Sequence, residues 1–329
     1  MAKVKRSPQP NVTESQIKAA LSALDKRRAA DHKLAQGARA ERDRVRRTAQ
    51  KVLTPYWRKT GLEVAAFETA RANAQVERRR LVDQQLAAVR KQSVSVAKML
   101  RDGARSWHET VDRLRLPDVS LTSPFVPGYI VIDKPFIIWP TNGLELEDSH
   151  IEPGNNWAKI SGQSSKGSGE ENLRFIFVFE NPNDSFTAVN IASYLRLNGS
   201  CRASADGGTA GIFPGGSSHL HLKAFLNVWE WWNQPPTRPV GEATQTRDVL
   251  NLSADGGGYF ESVGDIEVQA VSGNFDVTYQ LFVLPPNGVG VFEVTLLVSY
   301  DNDDGEIAVD FASDSFEVMC PLVAVAVLT

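Results

Sequence analysis

Cysteine is almost missing from this 329-residue chain, with one at position 201 and one at 320. Two thiols exclude a disulfide-stapled scaffold and a four-cysteine zinc module, and neither stands in a redox or metal-ligand spacing. Also missing is any apolar run near the ~20 residues a membrane-spanning helix needs. The opening MAKVKRSPQPN is basic but no apolar core follows it, so no secretory signal is read. The expected location is the cytoplasm or an assembled particle, with export by a route needing no signal left open. Catalytic motifs are absent too: there is no GxSxG, no HExxH and no phosphate-cradling glycine loop. His32, His108 and His150 stand in unrelated contexts. No acid, base and nucleophile can be grouped without arbitrary choice, so neither an enzyme nor a cofactor is expected.

What is present is divided. The net charge of −3 averages two unlike parts. Residues 1–116 carry 27 Lys and Arg against 12 Asp and Glu, a net +15; residues 117–329 carry 9 against 27, a net −18. Composition shifts at the same point, since only three of the 17 prolines (Pro8, Pro10 and Pro55) precede it and glycine is scarce there. Asymmetry on this scale separates regions with different partners. The apolar fraction of 42% excludes a wholly disordered chain.

The first part reads as a flexible basic tail over 1–12, then long helices over 13–116. Thr13-Glu-Ser-Gln16 has the spacing of a capping box. A 4-3 seam follows through Ile17, Leu21, Leu24, Arg28, Asp31, Ala35, Ala38, Arg42, Val45, Ala49 and Val52, with Pro55 as the expected break. A second helix is expected from about Gly61 to Leu116, its seam strongest from Val82, Leu86 and Val89 onward. At ~1.5 Å per residue the two would extend about 60 and 80 Å. Helices this long with one narrow seam each cannot make a core alone. They are expected to pair as a hairpin or coiled coil, to pack on other copies, or both.

The second part reads as a Pro-rich extended connector over 117–146 and an antiparallel β-sandwich, jelly-roll-like, over 147–329. Strands are expected at Tyr129–Ile132, Phe136–Trp139, Trp157–Ile160, Leu173–Glu180, Ala188–Leu197, Ser218–Trp229, Val249–Ser253, Ile266–Val271, Asp276–Leu284, Val291–Tyr300, Glu306–Ala312 and Phe316–Leu328. So many strands without intervening helices indicate a sandwich, jelly roll or barrel. LLVSY-DNDDG-EIAVDF reads as the clearest hairpin.

Four places carry candidate chemistry. His219 and His221 are two apart, so on a strand both imidazoles face one way and could reach one metal. Gly211, Gly215 and Gly216 before them make the stretch resemble the start of a cupin metal motif. Phe225 or Leu226 stands where its glutamate should be and no third histidine follows, so the plain reading is a half-exposed strand pair. Asp301 and Asp303, within DNDDGE, offer oxygen ligands for calcium but miss the EF-hand spacing; an acidic turn suffices. Trp229, Trp231, Trp232 and Asn233 form an aromatic cluster with two rings on one strand face and one on the other. Such a cluster packs in a core, anchors a protein interface or stacks on a sugar. Arg42, Arg44, Arg46, Arg47, Arg78, Arg79 and Arg80 could neutralise phosphates. Against that, Glu41 and Asp43 interrupt the first run and no aromatics interleave for base stacking.

The preferred expectation is a non-enzymatic structural protein, a shell, fibre or appendage subunit. It would form a homo-oligomer through its basic helices and make further contacts with its acidic head. A glycan-binding or adhesin- or toxin-like head on a helical stalk is the second reading. The third is a capsid-like protein with a nucleic-acid-binding helical arm.

Overall fold

The computed structural model describes residues 13–59, 64–114, 129–165, 167–207, 215–231, 243–257 and 264–328. Among them, two helices, α1 (Glu14–Lys59) and α2 (Val64–Leu114), precede thirteen strands. These are β1 (Tyr129–Ile132), β2 (Ile137–Pro140), β3 (Glu145–His150), β4 (Trp157–Ser164), β5 (Gly167–Glu180), β6 (Thr187–Ala205) and β7 (Ser217–Trp231). The chain continues through β8 (Ala243–Asp255), β9 (Ile266–Leu284), β10 (Val289–Asp303), β11 (Gly305–Asp310), β12 (Glu317–Met319) and β13 (Val323–Leu328). No described helix is long and apolar enough to cross a membrane.

The capping box forms. The Thr13 backbone N–H donates to Gln16 Oε1 at 2.8 Å, and the Gln16 N–H reaches back to Thr13 Oγ1 at 3.4 Å. Pro55 does not end α1, which runs through it to Lys59. With only four residues beyond it, the ring removes one backbone bond near an already fraying end.

The strands form two antiparallel sheets. In the first, the order is β1-β13-β6-β11-β4-β12, with β3 added on β4 and β9 on β6; in the second it is β2-β5-β10-β7-β8. Within them, β4-β11-β6-β9 and β5-β10-β7-β8 make two four-strand sets. From β4 to β11 the chain changes sheet at every step except β7 to β8. The inner faces share one apolar core, to which β5 gives Phe175, Phe177 and Phe179, β6 gives Leu195 and Leu197, and β10 gives Phe292, Val294 and Leu296. Phe179 and Phe292 stack with centroids 6.2 Å apart. Each such side chain contributes about 1.5–3 kcal/mol by leaving water.

Several elements differ from expectation. Ile266–Val271 and Asp276–Leu284 belong to one strand. Gly273 joins them: its positive φ would be resisted by a side chain, and it keeps its place opposite Leu197. The run to Leu328 divides around Pro321, which has no N–H to give a ladder. DNDDG is not a hairpin. Asp304, also at positive φ, turns the chain from β10 in one sheet to β11 in the other. Buried Asn302 braces that corner by donating to the carbonyls of Ser164 (3.1 Å) and Gly305 (2.9 Å). A pairing of the helices as hairpin or coiled coil is not shown: among the described residues α1 rests on β5, and α2 on β6 and β9.

Candidate functional site

The outer face of the second sheet carries an apolar patch of Ile137, Ile176, Val289 and Val291, edged by Phe136, Trp139, Val178 and Trp229. The first two turns of α1 cover it with Ile17 and Leu21, 2% and 5% exposed. One turn on, Asp25 accepts from Arg174 Nη2 at 2.8 Å and from Trp139 Nε1 at 3.1 Å. The Arg174 side chain is 1% exposed, and its Nε lies 2.9 Å from Glu293 Oε1. Asn227 and Thr295 complete the cluster, donating to the two Glu293 oxygens at 3.3 Å each. Cation, two carboxylates and their donors thus meet where α1 touches the sheet, with Arg174 and Glu293 out of water and Asp25 at the edge, 18% exposed.

This arrangement places Trp229 beside the helix, with its Nε1 shut off from solvent and without a hydrogen-bond partner among the described residues. Trp231 ends β7 opposite Val289; its side chain, and Trp232 and Asn233 entirely, lie outside the described residues. His219 and His221 share a face of β7 as expected, but each turns to its own neighbour. His219 Nδ1 is 2.9 Å from Ser253 Oγ, and His221 Nε2 is 2.9 Å from Asp248 Oδ1. Asp301 stands opposite His219, and Asp303 opposite Ser217. Among the described residues, no group of three or more His, Cys, Asp or Glu could hold a metal ion.

The arginines are dispersed. Arg44 is exposed on α1, while the side chains of Arg42, Arg46 and Arg47 lie outside the described residues. On α2, Arg80 is spent on Glu77 at 2.6 Å, Arg78 reaches Asp265 at 2.8 Å, and Arg79 is exposed. Further along, Arg90 meets Asp310 at 3.1 Å. Both cysteines are buried. Burial pushes the thiols up, Cys320 to about 12, and a thiol held protonated is a poor nucleophile.

Two features escaped sequence reasoning. One is a cavity of about 330 Å³ between α2 and the end of the first sheet, lined by Arg78, Arg79 and Val82 of the helix and Arg202, Ser204 and Glu306 of the sheet, among others. Only the Arg78–Arg80 run hinted at it, because the other walls lie far away along the chain. The second is the state of the α1 seam: Val45 and Val52 are 61% and 69% exposed.

No family model matches the chain, and no curated protein does. Among solved structures it is similar to a chain of infectious bursal disease virus Gx strain, at 13% identity and a TM-score of 0.21 over 64% of this chain. It spans 40% of the length of that chain. The Gt strain of the same virus gives 14% identity and a TM-score of 0.16, over 64% of this chain and 46% of that one. A chain described under "CBM4 structure and function" gives 12% identity and a TM-score of 0.14, over 56% of this chain and 84% of that one. Likeness at this level says nothing of what the chain binds.

Proposed function

We propose that the protein is a non-enzymatic assembly subunit, the unit of a shell, fibre or appendage. Copies join through the helices of 13–116, and the acidic head makes further contacts. The observation that carries this reading is the α1 seam. Its first positions, Ile17 and Leu21, are buried on the chain's own sheet, whereas Val45 and Val52 stand in water at the same 4-3 spacing. An apolar stripe of that kind is satisfied by another copy. The +15 and −18 parts then attract between copies, which orders neighbours and weakens with salt. The head fits such a unit, since β4-β11-β6-β9 facing β5-β10-β7-β8 is the strand order we assign to a jelly roll.

The test is molar mass by light scattering, at 50 mM and 1 M salt, on the full chain and on a Val45→Glu/Val52→Glu double variant. A large wild-type species, reduced in the variant and at high salt, supports the reading; a monomer throughout sinks it. The basic helices also support a second reading, a nucleic-acid-binding arm. In that case the purified protein retains nucleic acid, visible as a 260/280 nm absorbance ratio well above that of protein. A glycan-binding head would use the Trp229–Trp232 region, of which Trp229 packs beside α1, while the Trp231 side chain and Trp232 lie outside the described residues.

A further inference from the structure

We infer that the seam of α1 docks on the head of a neighbouring copy, on the outer face of the first sheet where β1, β13, β6 and β9 lie side by side. This rests on the assembly reading above and names the surface that the seam meets.

Register builds the face. Ala324 stands between Val131 on β1 and Ala192 on β6, and Thr278 on β9 follows Ala192. Four residues back along β6, Ala188 stands between Leu328 and Val283, and Ala326 pairs with Asn190 in the row between. The alternate residues Ile130, Val325, Ile191 and Val277 pack into the core, so this set faces out. Its middle is a floor of small side chains, Ala188, Ala192, Ala324 and Ala326, on two adjacent strands. Taller apolar side chains flank it: Val131 is 48% exposed, Val283 47% and Leu328 36%. All these outward residues are uncharged, in a part of the chain that carries a net −18. Leu281 adds to them. It bulges opposite Asn190 at a φ of 61°, its N–H donating to Asn190 Oδ1 at 2.9 Å, and it is 64% exposed. A bulky residue is strained in that conformation, so the fold holds an apolar side chain in water at a cost.

Size, charge and precedent identify the occupant. From β1 to β9 is three strand spacings, ~14 Å, which admits a helix of ~10 Å diameter between the taller side chains. Ala188 to Ala192 covers ~13 Å at ~3.3 Å per residue, and Val45 to Leu53 covers ~12 Å at ~1.5 Å per residue. Val45, Val52 and Leu53 share one face of α1 and are 61%, 69% and 36% exposed. Residues 41–59 around them carry seven Lys and Arg against two Asp and Glu, a net +5. Exposed Asp276, one outward row beyond Thr278, and exposed Asp184, two residues before Phe186, border the alanine floor, while Asp133 and Lys134 after β1 offset each other. A basic helix thus meets a neutral seat with an acidic margin. Precedent lies within the copy, where Ile17 and Leu21 of the same seam already rest on the outer face of the second sheet. Both surfaces are exposed in a single copy, so they close only between copies. The contact is head-to-tail and builds a ring or a filament.

Light scattering on the full chain at 50 mM and 1 M salt is the first test, with Ala192→Arg beside the seam variant Val45→Glu/Val52→Glu. Ala192 is exposed, so the arginine lies in water in a lone copy, and an unchanged thermal midpoint checks that. Filling the floor should lower the mass of the low-salt species at least twofold, as the seam variant does. Asn142→Arg, at an exposed position between β2 and β3, should leave it unchanged. A wild-type monomer at both salts overturns this inference and the assembly reading together. A mass that falls in the seam variant but holds in Ala192→Arg overturns this inference alone. Should Ala192→Arg fail to fold, linking decides. Val52→Cys and Ala326→Cys proteins are mixed in 1 M salt, returned to 50 mM and treated with a short bismaleimide. Dimers containing one chain of each kind support docking on the sheet; their absence, or dimers in the Val52→Cys protein alone, overturns it.

Discussion

The two helices rest on opposite outer faces of the head, and they do so by different physics. α1 plugs an apolar patch with Ile17 and Leu21, then closes an ion cluster in which the side chains of Arg174 and Glu293 are 1% and 3% exposed. Among the described α2 side chains, Val82 is the fully buried apolar one and Leu86 and Val89 of the same seam are half-buried, and open ion pairs stand beside them. Arg78–Asp265 is 29% and 48% exposed, and Arg90–Asp310 is 45% and 23%. Pairs in water contribute about 0–1 kcal/mol each. A cluster out of water binds its members because breaking it strands a charge. Similar basic helices are therefore held one firmly and one loosely, and the difference lies in what the sheet beneath them offers.

The sharpest way to break this contrast is Arg174→Ala. It leaves Asp25 and Glu293 near each other beneath α1 without their cation, and a loss of about 3–5 kcal/mol is expected from the denaturant midpoint. A loss under about 1 kcal/mol would show that the cluster is no stronger than a surface pair. Leu21→Ala should cost about 2 kcal/mol, with a red shift of tryptophan emission as the rings of Trp139 and Trp229 meet water. Next in size comes salt. Raising it to about 1 M shortens the screening length to ~3 Å, so hydrogen exchange should quicken over residues 76–90 and stay slow over 14–25. Equal behaviour of both helices would erase the distinction.

The smallest expected effect concerns acid. Burial alone would raise the Asp310 carboxyl. The hydroxyl and N–H of Ser313, the N–H of Ala312 and the Arg90 guanidinium outweigh that and hold it below the usual carboxylate range. A depressed folded-state value means that the contribution is whole above the unfolded value of ~3.9 and is lost as pH falls through the folded one. Wild-type protein should thus lose stability below ~pH 4 more steeply than Asp310→Asn, measured by urea midpoints across that range.

Legibility in the sequence follows how local each cause is. The Thr13–Gln16 cap and the strand Tyr129–Ile132 are legible to the residue, because a cap and a short β-branched run are decided by their own side chains. β3 is not: Glu145, Glu147 and Asp148 give no apolar alternation, and the strand exists only because β4 offers it an edge. The α1 periodicity is legible, but a 4-3 pattern states that a partner exists without saying which. Ile17 and Leu21 find a sheet where another helix is expected. The cavity is the least legible feature, since Arg78, Arg202 and Glu306 come together only through the fold.

The 19 residues of β6 are hydrogen-bonded on both edges. β9 runs along one edge, while β13, β12 and β11 share the other from end to end. Those last three strands begin only at Gly305, long after β6 has ended at Ala205. During synthesis at ~5–20 residues per second, the ribosome therefore delivers the centre of this sheet at least ~5 s before the strands that complete it. For that interval β6 has an open flank able to pair with the wrong chain. High contact order makes its closure slow as well. Yield from cells should then depend on temperature and on chaperone capacity more than the finished molecule's stability would suggest.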